Sequence, residues 1–166
     1  MTINIIVDIS GSMAEMVKSK IERIALDSLV FYTDLFMQNV VFRVFLWNES
    51  FREADINAEI QPEGKVLFAP LAEYLGSNKK NPSQEKAEGW LLMSDGCWKS
   101  DELDAFLDET REIRPELRVL AIGEDADIFA LERIAGKGKV FRAEDVLAAM
   151  ELCFPGTNQE EAFNVE

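Results

Sequence analysis

The chain has no histidine among its 166 residues. That absence excludes serine–histidine and cysteine–histidine catalysis, histidine-ligated zinc, and the usual general base near neutral pH. Cysteine is almost missing too. Cys97 and Cys153 stand in unrelated contexts without metal-ligand spacing, so they read as free thiols of a reducing compartment. Basic residues are scarce, 17 against 31 acidic, for a net charge of −14. Such a surface repels phosphate backbones and anionic lipid and attracts cations or basic protein faces, which argues against nucleic-acid and membrane partners. No apolar run approaches the roughly 20 residues of a membrane span. The first residues read as a strand rather than as a signal peptide, so a cytoplasmic location is expected.

What is present fits one domain, long enough to bury roughly 70% of its unfolded surface. Residues 3–7 (INIIV) are β-branched and apolar, as in a strand buried on both faces of a parallel sheet. In residues 13–37, Val17, Ile21, Ile24, Phe31 and Leu35 recur at helical spacing, which predicts an amphipathic helix with that stripe on the core. Met13 and Met16 are expected in the core at its start. Residues 40–47 (VVFRVFLW) form a second strand, and residues 50–60 alternate weakly, as an edge strand does. A short helix is expected from Pro70 to a stop at Gly76, then a polar loop over 77–89. Further strands are predicted at 90–96, 117–123 and 139–143. They alternate with a helix over 101–113 capped by Ser100, one closed by Gly136, and one over 144–154. The alternation predicts an α/β three-layer sandwich: a mainly parallel sheet, one antiparallel edge strand and helices on both faces. The domain spans 1–154, and the acidic tail 155–166 is expected to fray.

Two strands end in oxygen-rich turns, residues 7–13 (VDISGSM) and 94–96 (SDG), and ligands of such sheets bind beyond the carboxyl ends of the strands. If Asp8, Ser10, Ser12 and Asp95 converge, they offer two carboxylates and two hydroxyls with no nitrogen or sulfur. That donor set suits Mg²⁺, which keeps several waters, and the two aspartates balance its charge. Gly11 is read as the residue that lets the turn bend. The plain alternative is that Ser10 or Ser12 caps the next helix.

The stretch IIVDISGSM is similar to the first motif of von Willebrand factor A-type domains, Asp-x-Ser-x-Ser after an apolar strand. LLMSDG resembles their later aspartate motif, and residues 120–146 (LAIGEDADIFALERIAGKGKVFRAEDV) resemble the end of the fold. The resemblance implies a metal ion-dependent adhesion site. Ser10 and Ser12 would ligate Mg²⁺ or Mn²⁺ directly, Asp8 and Asp95 would supply charge, and a carboxylate of a partner protein would complete the sphere. The family also uses a threonine, and Ala69 stands at the matching position, with Glu63 or Glu73 as substitutes near in sequence. Intracellular relatives work in assemblies, often with an AAA-type ATPase or in stress and defence systems.

Around this site, Asn48 and Trp98 are the candidate partner-binding rim, with packing as the alternative for each. Cys97, beside a negative site, is expected to keep its proton. The expected function is an intracellular interaction module rather than an enzyme. A metal-free scaffold is the alternative. A metal-dependent phosphatase of the haloacid dehalogenase type is a further one. It needs an acid–base aspartate where Ser10 stands, with Lys99 as its phosphate-binding lysine.

Overall fold

The computed structural model describes residues 1–37, 39–80 and 87–153. Six strands form one sheet in the order β3-β2-β1-β4-β5-β6. They are β1 (Thr2–Asp8), β2 (Val41–Trp47), β3 (Phe51–Ala54), β4 (Gly89–Ser94), β5 (Arg118–Ala121) and β6 (Val140–Arg142). All neighbouring pairs are parallel except β2–β3, so β3 is the expected antiparallel edge. β1 and β4 are buried along nearly their whole length, as their unbroken apolar sequences require.

Five helices cover the two faces: α1 (Lys18–Phe36), α2 (Phe68–Lys80), α3 (Ser100–Glu109), α4 (Ile128–Ala135) and α5 (Val146–Glu151). Ala25, Leu26 and Leu29 of α1 pack with Ala149 and Met150 of α5 on one side of the sheet. Leu71, Phe106 and Leu131, from α2, α3 and α4, pack on the other. The three-layer α/β sandwich is thus as expected.

Several local expectations are corrected. α2 does not stop at Gly76 but runs on to Lys80, shortening the expected loop, of which residues 81–86 lie outside the described ones. Lys99 rather than Ser100 precedes the first turn of α3, and the Ser100 hydroxyl accepts a hydrogen bond from Arg133 instead. The expected tail 155–166 also lies outside the described residues.

The largest correction concerns α1. Its buried face carries Lys18, Glu22, Ala25, Leu26, Leu29 and Thr33. Of the expected apolar stripe only Ile21 packs on the core, half-buried, and the rest faces outward: Val17 is 58% exposed, Ile24 64%, Phe31 68% and Leu35 57%. Met13 is fully buried as expected, but Met16 is 62% exposed. Met16 and Val17 both take left-handed backbone angles, φ 47° and 58°, between the turn after β1 and the helix.

Candidate functional site

β1 and β4 are adjacent and in register (Val7 opposite Met93), and β1 ends on Asp8 while Asp95 follows β4. The crossovers leave this point in opposite directions along the sheet, which opens a crevice at the carboxyl edge. The strand ends therefore bring Asp8 and Asp95 together, as the sequence suggested.

Asp8 is fully buried. Its Oδ1 accepts the Ser10 N–H at 2.9 Å, and its Oδ2 accepts the Ser94 hydroxyl at 2.6 Å and the Trp98 indole N–H at 3.4 Å. Burial raises its pKa above the ordinary carboxylate value, the hydrogen bonds from Ser94 and Ser10 oppose that, and the charge of Asp95 adds to it.

The Ser10 side chain makes no capping bond to the 3₁₀ turn that follows it, Gly11–Ala14. Its hydroxyl instead lies 3.2 Å from that of Ser12. The N-cap alternative thus fails for Ser10. Gly11 does not use left-handed freedom, which corrects the bending argument. It donates to the Gly64 carbonyl at 2.9 Å, and a Cβ at residue 11 would sit 3.1 Å from that oxygen. The Gly64 loop therefore lies against the serine turn. Ala69 is exposed near the start of α2, and Glu63 and Glu73 are exposed as well.

Asp95, also fully buried, accepts the Cys97 N–H at Oδ1 (3.0 Å) and the Lys18 ammonium at Oδ2 (2.9 Å). Sequence reading missed Lys18, the first residue of α1, which also reaches Asp125 at 2.8 Å. Gly123 makes room for it: a Cβ there would lie 2.8 Å from Lys18 Cε and 2.7 Å from Asp125 Oδ1. Burial alone would lower the Lys18 pKa, but hydrogen bonds to Asp125 and Asp95 outweigh it and leave it raised. The Lys18 bond in turn lowers that of Asp125. One turn along α1, Glu22 is fully buried and neither of its oxygens has a hydrogen-bond partner. Burial first, then the charges of Asp8 and Asp95, hold its carboxyl well above the ordinary range.

The two rim candidates also make contacts within the fold. Asn48 is buried, and its amide oxygen accepts from the Ser50 N–H and hydroxyl. Trp98 is half-buried against Trp47 and Phe68, with ring centroids 5.7 and 5.4 Å away, and its N–H points at Asp8. The Cys97 thiol is pushed up to about 11, by burial and then by Asp95, in line with its expected inertness.

Among the described residues, no three carboxylates or thiols gather closely enough to hold a metal by themselves, so the hydroxyls would have to join. They fit that role. Cis oxygens on an octahedral Mg²⁺ with bonds of about 2.1 Å sit about 3 Å apart. The Ser10–Ser12 spacing of 3.2 Å matches. Asp8 Oδ1 accepts the Ser10 N–H, and a carboxylate oxygen has a second lone pair to offer. Asp95 fits less well, because Lys18 already neutralises it.

In sequence, the chain matches no family model and no curated protein. In structure, it is similar to an aerotolerance-related membrane protein from Bacteroides fragilis NCTC 9343, with a TM-score of 0.65 at 14% identity over 92% of this chain and 96% of that one. It is also similar to manganese-loaded TRAP protein of Plasmodium vivax, with a TM-score of 0.67 at 16% identity over 92% and 72%. BatB from Bacteroides thetaiotaomicron gives a TM-score of 0.58 at 13% identity over 92% and 98%. At these identities the likeness concerns the fold alone. No helix among the described residues is long and apolar enough to cross a membrane. The architecture this chain shares with these structures is a three-layer α/β sandwich around a mainly parallel sheet with one antiparallel edge strand.

Proposed function

We propose that this chain is a protein-interaction module whose recognition face is the crevice at the carboxyl edge of β1 and β4. The observation that carries the reading is the facing pair of serine hydroxyls, 3.2 Å apart and released from capping, beside the fixed carboxylate of Asp8. Ser10, Ser12 and Asp8 are the residues that would hold Mg²⁺ or Mn²⁺. When bound, the ion supplies an open coordination position that takes a carboxylate of the partner protein. Ser94 and the Ser10 amide fix the Asp8 carboxylate, and Asp95 adds charge from behind, reduced by Lys18. Trp98, at the rim, supplies apolar contact. One solved structure of similar fold is manganese-loaded, which supports the donor assignment. We place the module in a cytoplasmic assembly of the AAA-type ATPase or stress and defence kind, on the resemblance alone.

A metal-free interaction face is the second reading, favoured by the Lys18–Asp95 ion pair and by Ala69. The phosphatase reading lacks support: Ser10 stands where acid–base chemistry is needed, and the Lys99 ammonium pairs with Glu102. Calorimetric titration of chelator-treated protein with Mg²⁺ and Mn²⁺ separates the first two. Ser12→Ala is the control, because Ser12 is half-buried and its side chain meets only Ser10 among the hydrogen bonds above. Saturable binding lost in Ser12→Ala supports the metal reading. Absence of binding in the intact protein, with and without a carboxylate such as acetate, sinks it.

A further inference from the structure

The outward stripe of α1 has a spacing of its own. Val17, Ile21, Ile24, Ser28, Phe31 and Leu35 are separated by 4, 3, 4, 3 and 4 residues. That is the a/d repeat by which one helix packs along another. Four of the six are more than half exposed. Apart from Ile21, which is half-buried against the core, this seam has no internal use, because the core contacts of the helix are made by the other face, from Lys18 to Thr33.

Beside the middle of the seam lies a groove of about 790 Å³, lined by Ile21, Ile24 and Ser28 on one wall and by Ile128, Arg142 and Val146 on the other. The small Ser28 side chain leaves this groove open to a bulky residue entering from above. From Val17 to Leu35 the seam is about 27 Å long at 1.5 Å per residue, enough for five turns of a partner helix.

Charge identifies the partner's flanks. Lys20, Asp27 and Asp34 run along the outer side of the seam, and Glu124, Arg142 and Glu144 stand across the groove, so acids outnumber bases on these borders. Asp27 already holds Arg23, and Arg142 lies 3.7 Å from Glu144. The whole chain carries −14, so a second copy would bring the same charge to the contact. We infer that this face receives an amphipathic helix of another protein, about 18 residues long, with an a/d apolar seam and lysine or arginine on its flanks. This surface is separate from the serine turn and does not depend on a metal there.

The test uses a 21-residue peptide with leucine at a and d positions and lysines on the flanks, labelled for fluorescence anisotropy. An isomer of the same composition with the heptad broken serves as the charge-matched control. Saturable binding of the heptad peptide alone is expected, weakened about tenfold or more by Phe31→Glu or Ile24→Glu and unchanged by Ser12→Ala. Both positions are exposed, so the variants should keep the melting temperature of the parent, which is checked alongside. Equal binding of the two peptides, binding indifferent to Phe31→Glu, or no binding at all would overturn the inference. So would sedimentation of the intact protein as a dimer that Phe31→Glu dissociates, since the occupant would then be a second copy.

Discussion

Replacing Lys18 by methionine keeps most of the apolar stem and removes the ammonium. In the folded protein that ammonium sits 2.9 Å from Asp95 Oδ2, with side chains 1% and 0% exposed, so no water can take its place. Asp95 would be left with the Cys97 amide as its remaining hydrogen-bond donor among those above. Breaking a buried pair from one side costs about 3–5 kcal/mol, because the surviving charge is uncompensated. In a domain of this size each kcal/mol moves the melting temperature by about 2–4 °C, so the expected fall is about 6–20 °C. The exposed arm to Asp125 adds little to that figure. Urea unfolding of Lys18→Met, Asp95→Asn and the double variant gives the coupling directly. The double variant should be more stable than Lys18→Met, since it removes the stranded charge. The loss should persist in 0.5 M salt, which screens surface pairs and not buried ones. A Lys18→Met protein within about 1 kcal/mol of the parent would refute the reasoning, since a buried pair broken from one side is expected to cost several times that.

Glu22→Met should stabilise the protein at pH 7 by about 1–3 kcal/mol, the penalty of a buried polar group left without a partner. Because the folded-state pKa of Glu22 is raised, the folded protein holds the proton more tightly. Parent stability therefore falls as pH rises from 4.5 towards that raised value, and in urea titrations across this range the variant should lose that part of the slope. Gly123→Ala should lose at least about 1 kcal/mol in thermal unfolding, since residue 123 has φ +94° and its Cβ would meet Lys18 and Asp125. With its thiol pushed up to about 11, Cys97 should react with iodoacetamide at pH 7.5 about tenfold more slowly than an ordinary cysteine, because the smaller thiolate fraction is partly offset by the greater nucleophilicity of a high-pKa thiolate. Fast alkylation at that pH would contradict the desolvation of this thiol and the placement of Asp95 beside it.

The sheet and its ligand-bearing edge were legible because they depend on local pattern: unbroken apolar strands, and short oxygen side chains where Asp8 and Asp95 end them. The orientation of α1 was not. A stripe of Val17, Ile24, Phe31 and Leu35 normally marks the core face, and Lys18 with Glu22 normally marks the wet one. Here the order is reversed. The partner that makes Lys18 tolerable in the interior, Asp95, is 77 residues away, and the room for its stem comes from Gly123, still further along. Nothing in the neighbourhood of Lys18 announces either. The role of Gly11 was misread for a related reason: its neighbour, the Gly64 carbonyl, arrives from a distant loop.

The two margins of the sheet have a bearing on how the protein can meet others. β3 has four residues, with Arg52 and Glu53 exposed and Glu53 clamped by Arg43, and β6 has three. Each margin offers too few free backbone groups, bordered by charge, to template another strand. Among the described residues, neither margin favours recognition by strand addition. What remains for association is side-chain chemistry on helices and turns, where a single substitution can abolish a contact without disturbing the sheet beneath.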